Sequence, residues 1–171
     1  MDVMQAIEER FSVRAFEERK IEPDKLERVM EAARLAPSAS NRQEWRFVLV
    51  QNEQMRAKLS DAALGQQFVG EAPAVIVACA VGADHVMPCG LHCYPIDVSI
   101  AMSYITLAAT AEGLGTCWIG AFDADKTREL LDIPSDVVVV GILPIGYPTG
   151  SAPDKNRMSM DAIVFEEKWP E

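Results

Sequence analysis

The stretch from Pro95 to about Glu112 constrains the fold most. It carries Ile96, Val98, Ile100, Met102, Tyr104, Ile105, Leu107 and Ala108, and Gly113 follows it. A helix that is apolar nearly all round belongs in a core or an interface. Gly113 suits the left-handed residue that closes such a helix. Asp97, Ser99, Ser103 and Thr106 interrupt the apolar run, so it falls short of a membrane span. A chain of 171 residues suits one domain with a substantial core. It has little room to enclose a central helix on every side. Part of this helix is therefore expected in a subunit contact. Asp97, near its start, is expected to serve the positive end.

The other elements follow from caps and spacing. Asp2 can cap a short helix running to about Arg10, with Val3, Ile7 and Phe11 on its apolar side. Pro23 suits a first helical turn, and Leu26, Val29, Met30 and Ala33 repeat at helical spacing until Pro37 stops the helix. Strands are expected over Trp45 to Val50, Ala74 to Val81, Cys117 to Ile119 and Val137 to Ile145, with a final one over Ala162 to Phe165. Asn52 and Asp123 can cap helices, the latter through Leu131. Helices and strands mix without a strict βαβ rhythm. The expected class is α+β, a mixed central sheet flanked by helices in one domain over residues 1–171.

Charge excludes some partners. The net charge of −10 argues against nucleic acid or an anionic membrane, because both need a basic footprint. The acidic start, Met1-Asp2-Val3-Met4, does not resemble a secretory signal. The four cysteines show no disulfide framework. A cytoplasmic protein is expected.

Four segments carry chemistry. In Arg10-Phe11-Ser12-Val13-Arg14, an extended backbone would place Arg10, Ser12 and Arg14 on one face, an anion clamp of two guanidiniums and a hydroxyl. Surface pairing with Glu8, Glu9, Glu17 or Glu18 is the competing reading. Ala36 to Trp45 joins a helix to a strand through Ser38, Ala39, Ser40, Asn41 and Gln43. It is either a plain turn or a place where hydroxyls, amides and backbone N–H groups meet a flat polar ligand. Gly113 to Asp123 is not a dinucleotide fingerprint, since its first glycines end a helix instead of opening one. Gly120 and Ala121 leave N–H groups unscreened, so a ring could lie on them. Lys155-Asn156-Arg157 is a second basic knot, or else a solvated tail.

In this order and at these intervals, the four segments resemble the FMN-dependent nitroreductase family, nearly end to end. The resemblance implies a nitroreductase-like homodimer with FMN at the subunit interface. It implies that Arg10, Ser12, Lys155 and Arg157 hold the FMN phosphate and ribityl chain, and that Arg14 lies near the pyrimidine edge. Ser38, Ser40 and Asn41, with Gln43 adding to the contact, would come from the partner subunit. Ile119, Gly120 and Ala121 would line the flavin. NAD(P)H would donate hydride, and a nitroaromatic, quinone or similar small acceptor would take the electrons. Chemistry centred on the flavin needs no side-chain nucleophile. Glu44 departs from the family pattern, standing where relatives commonly carry proline before the Trp.

One constellation competes. Both histidines and two of the four cysteines fall between His85 and Cys93, as His85, Cys89, His92 and Cys93. Zinc prefers these ligand types, but the spacing fits no zinc-finger or iron–sulfur pattern. A metal-binding or electron-relay module is the rival reading, and a flavin carrier with little turnover is a third. The favoured role for this loop is a mobile segment where His92 or Tyr94 contacts substrate. Cys79, Cys117, Trp45 and Trp118 are expected in the core.

Overall fold

A computed structural model describes residues 1–170. Helix α1 spans Val3–Glu9, α2 Pro23–Arg34, α3 Glu53–Ala62, α4 Gln67–Glu71, α5 Cys93–Ala111 and α6 Ala124–Leu130. Strand β1 spans Trp45–Val50, β2 Ala74–Ala80, β3 Gly115–Thr116 and β4 Val138–Gly146. The caps act locally. Asp2 accepts the Gln5 N–H at 2.8 Å while the Gln5 side chain takes the Asp2 N–H at 2.9 Å. Asn52 accepts from Met55 N and Asp123 from Lys126 N, each at 3.0 Å.

The sheet order is β1-β2-β4-β3, and every ladder in it is antiparallel. A parallel element enters only as the single bridge between Ser12 and Thr116. The central strand β2 is buried on both faces. Alternation along it divides the interior. Ala74, Ile76, Ala78 and Ala80 face one core with Val29 of α2 and Val98, Met102 and Ile105 of α5. Val75, Val77 and Cys79 face a second core with Leu59 of α3 and Val69 of α4. The result is an α+β sandwich of helices on both faces of one sheet.

Helix α5 is less enclosed than its sequence suggests. Val98, Ala101, Met102, Ile105 and Ala109 are buried, whereas Ile96 and Tyr104 are 38% and 40% exposed. Ser99, Ile100 and Leu107 are half-buried on that outer side. Val3, Met4 and Ile7 of α1 are likewise exposed, and Ala6 is the buried residue of that helix.

Three expectations need correction. The strand expected at Ala162 to Phe165 does not form. Met160–Ala162 is a 3-10 turn instead, and from Thr149 to Pro170 all is exposed except half-buried Lys155. A strand needs a neighbour for its backbone hydrogen bonds, and none in the protomer pairs there. The strand expected at Cys117 to Ile119 is displaced to Gly115–Thr116, with one further bridge from Ile119 to Ile142. Trp118 is 39% exposed, not core. Its neighbours Cys117 and Ile119 face the second core, so Trp118 turns to the other side across Gly141. No described helix is long and apolar enough to cross a membrane.

Candidate functional site

The Arg10 to Arg14 segment docks on β3. Val13 N–H donates to the Thr116 carbonyl at 2.9 Å, and Val13 is buried while Ser12 and Arg14 are exposed. Gly115 makes the docking possible, since a Cβ there would lie 2.3 Å from Val13 Cγ2. Ser12 also bridges Thr116, which fixes the segment's register against β3. Burial pushes the Cys117 thiol up in pKa, and the Arg14 guanidinium, the Ser12 hydroxyl and Arg10 oppose that shift. Arg10, Ser12 and Arg14 therefore lie together beside β3.

Lys155 reaches the same neighbourhood from the far end of the chain. Its ammonium donates to the Ile7 carbonyl at 3.0 Å and to the Glu8 carbonyl at the C-terminal end of α1, next to Arg10. A cation suits the exposed carbonyls of a helix end. Arg157 is exposed, and its partner among the described residues is the Asn156 carbonyl at 3.2 Å. The structure thus docks the Arg10–Arg14 segment on β3, ties Lys155 to the adjoining end of α1 and leaves Arg157 exposed.

The loop before β1 holds an unusual backbone. Ser40, Asn41 and Gln43 have φ of 50°, 54° and 52°. Such left-handed geometry is costly for residues with side chains and clusters at functional sites. Side chains hold it in place. Ser38 Oγ accepts the Gln43 N–H at 3.0 Å, and Gln43 Nε2 donates to the Asn41 carbonyl at 3.2 Å. The Asp97 carboxylate accepts the Ala39 N–H at 3.1 and 3.2 Å. Asp97 is 3% exposed and lies past the first turn of α5, so it anchors this loop instead of serving the helix terminus. The contact joins residues far apart in sequence, and no local signal reveals it.

Glu44 is also buried, at 4% exposure, and pairs with Arg42 at 2.6 Å. Its charge faces inward, away from the exposed tips of the loop.

Ile119 is buried, with its N–H committed to the Ile142 carbonyl at 2.8 Å. The N–H groups of Gly120 and Ala121 have no acceptor among the described residues, and both residues are exposed. A Cβ built at Gly120 meets nothing within 4 Å. Two free donors on an open surface suit the edge of a planar polar ring.

The loop from His85 to Cys93 is a small hairpin. Val86 bridges His92, and Cys93 N–H donates to the His85 carbonyl at 3.1 Å. Cys89 is exposed at its tip and Cys93 is buried at its base. His92 and Tyr94 meet edge to face at 5.9 Å. Among the described residues, no three His, Cys, Asp or Glu side chains converge as a metal ion would need. Cys79 is core as expected, and burial pushes its thiol up to about 11.

The geometry supplies cations and a hydroxyl for an anionic group, free N–H donors for a flat ring, and a pre-shaped polar loop. Comparison with known proteins agrees. The Nitroreductase family profile matches residues 7–90 and 66–147. A protein of Archaeoglobus fulgidus, whose name joins NADH dehydrogenase with NAD(P)H nitroreductase, is 34% identical over 98% of this chain and 99% of its own. A crystal structure of a nitroreductase family protein from Clostridium difficile 630 is 32% identical, covers 99% of this chain and 100% of its own, and superposes with a TM-score of 0.89. An FMN-dependent nitroreductase from Clostridium difficile R20291 is 29% identical, with 96% and 99% coverage and a TM-score of 0.84. The likeness spans both the docked Arg-x-Ser-x-Arg segment and the strained loop, and on it the chain belongs to the nitroreductase family.

Proposed function

We propose that this chain is an FMN-dependent NAD(P)H oxidoreductase passing electrons to a nitroaromatic, quinone or similar small acceptor. The observation that carries the reading is the docking of the Arg10–Arg14 segment on β3 through the Val13 N–H and the Ser12–Thr116 bridge, with Lys155 bound to the carbonyl end of α1. A protein of net charge −10 concentrates cations where an anion must be held.

The residues fit FMN by the chemistry of their donors. Arg10, Ser12, Lys155 and Arg157 take the phosphate and ribityl chain. Charge-assisted hydrogen bonds contribute roughly 1.5–3 kcal/mol each, so three or four suffice without a covalent link. Arg14 lies at the pyrimidine edge. Gly120 and Ala121 direct their free N–H groups at the ring, with Ile119 packed beneath. FMN held there would supply the hydride-transfer chemistry between a nicotinamide and the acceptor. His92 and Tyr94, on and beside the exposed hairpin, contact the acceptor.

The loop bearing Ser38, Ser40, Asn41 and Gln43 completes the site across a homodimer interface. Support comes from apolar surface that the protomer leaves bare. Ile96 and Tyr104 on α5, Val3 and Ile7 on α1, and Met158, Met160, Ile163, Val164 and Trp169 in the C-terminal segment are all exposed. Contiguous exposed apolar surface marks interaction sites, and Ile96, Ile100 and Tyr104 line one such face on α5. All 171 residues act as one FMN-binding domain in the cytoplasm, without nucleic acid or membrane as partner.

A visible spectrum tests the reading. Protein incubated with FMN and desalted should stay yellow. NADH or NADPH without oxygen should bleach it, and a quinone or nitroaromatic should restore the colour. Colourless protein overturns the proposal. Yellow protein that neither nicotinamide bleaches indicates a flavin carrier instead.

A further inference from the structure

We propose that Glu44 is a positioning residue for the cofactor loop, acting through Arg42; the proposal rests on the FMN reading above. Glu44 stands just before β1. Its carbonyl accepts the Val81 N–H at 2.9 Å, so its backbone belongs to the sheet. Its buried side chain gives Oε1 to Arg42 Nε at 2.6 Å. The other oxygen, Oε2, is buried and has no hydrogen-bond donor among the described residues.

A buried carboxylate is costly, and this one uses half of its accepting capacity. A residue serving as a hub of a polar network would use both oxygens. Among the described residues, the hydrogen-bond partner of the Glu44 side chain is Arg42. Arg42 in turn closes the 3-10 turn of the loop, its N–H donating to the Ala39 carbonyl at 3.1 Å. The Arg42 side chain is 39% exposed, so without Glu44 it would be free to swing outward.

The loop is therefore fastened at both ends by buried acids from different elements. Asp97 of α5 holds Ala39, and Glu44 at the sheet edge holds Arg42. Between and beside these anchors lie the left-handed Ser40, Asn41 and Gln43. Strained backbone persists where its surroundings over-determine it.

The test compares FMN affinity of the wild type with Glu44→Gln, Arg42→Gln and the double variant. Glu44→Gln keeps the shape and removes the charge. Each single variant should bind FMN about tenfold more weakly, and the double variant no more weakly than either single, because one pair is being broken. At saturating FMN, the visible circular dichroism of the bound flavin should change in both singles alike, which a loss of global stability alone would not produce. Wild-type affinity in Glu44→Gln, or a double loss equal to the product of the two single losses, overturns the proposal. Should Glu44→Gln not fold, Arg42→Gln alone decides, and unchanged FMN affinity there overturns it. Failure of the wild type to bind FMN would overturn the cofactor reading itself, and it is seen before any substitution is made.

Discussion

The Asp97 carboxylate lies 3.1 and 3.2 Å from the backbone nitrogen of Ala39, tying α5 to the loop that precedes β1. A hydrogen bond to a charged group contributes roughly 1.5–3 kcal/mol net. Asp97→Ala leaves the Ala39 N–H without this acceptor and opens a polar hole. It should cost about 2 kcal/mol in urea unfolding, and the loop should become a protease site. Asp97→Asn keeps one acceptor and should cost less. Equal stability for all three proteins would show that the contact does not hold the loop.

Gly115→Ala tests the docking of the Arg10–Arg14 segment. The new Cβ would fall 2.3 Å from Val13 Cγ2, too close for either residue to stay in place. Overpacking of this kind costs about 1–3 kcal/mol. Because the clamp moves with Val13, FMN retention should fall along with the melting temperature. Gly150→Ala, where an added Cβ meets nothing within 4 Å, is the control and should leave both unchanged.

These sites differ in how far the sequence alone reveals them. Caps are local, so Asp2, Asn52 and Asp123 were readable from a few neighbouring residues. The Arg10, Ser12, Arg14 alternation was readable from the pleat, because buried Val13 sits between exposed Ser12 and Arg14. Asp97 was not, since its partner is supplied by folding. Trp118 looked like core because large apolar residues usually are. Its facing was decided by Cys117 and Ile119 on the opposite side. Short α4 has no side-chain cap to announce it. The apolar run from Ala162 to Phe165 has strand composition, but composition cannot provide a second strand.

Arg157→Ala should lower FMN occupancy with little effect on stability. The side chain is exposed, and its hydrogen bond among the described residues goes to its neighbour's carbonyl, so the fold should lose little by its removal. Lys155→Ala should lower occupancy too, but with a measurable stability loss, because Lys155 also ties the C-terminal segment to the end of α1. Flavin content after desalting, set beside the melting temperature, separates the two. Full flavin retention in Arg157→Ala would remove that residue from the phosphate site.

Acid sensitivity should centre on Glu22. The Tyr147 hydroxyl donates to its carboxylate, its own backbone N–H and Arg19 add to that, and together they hold its pKa down at about 2. A carboxylate whose pKa is lower folded than unfolded binds fewer protons in the native state. It contributes stability above its ordinary value of 4.5, and that contribution is lost as the pH falls from there toward about 2. The group is solvent-accessible, so the effect is screened. Tyr147→Phe removes the largest cause and should flatten the fall in urea midpoint over this range. An unchanged acid limb would assign the loss to other carboxylates.

The outer side of α5 offers the clearest test of assembly. Ile96 and Tyr104 are exposed there, and Ile100 and Ser103 lie between them on the same side. Burying such a side against a second copy removes apolar area at about 25 cal/mol per Å². Tyr104→Glu would place a charge in that contact at an exposed residue that is not among those packed against the core. Sedimentation should then show the variant as monomer and the wild type as the proposed dimer. In the proposed assembly, where Ser38, Ser40, Asn41 and Gln43 reach the cofactor from the other copy, FMN affinity should fall with dilution of the variant. A wild type that sediments as monomer while retaining FMN would place the whole site within one protomer.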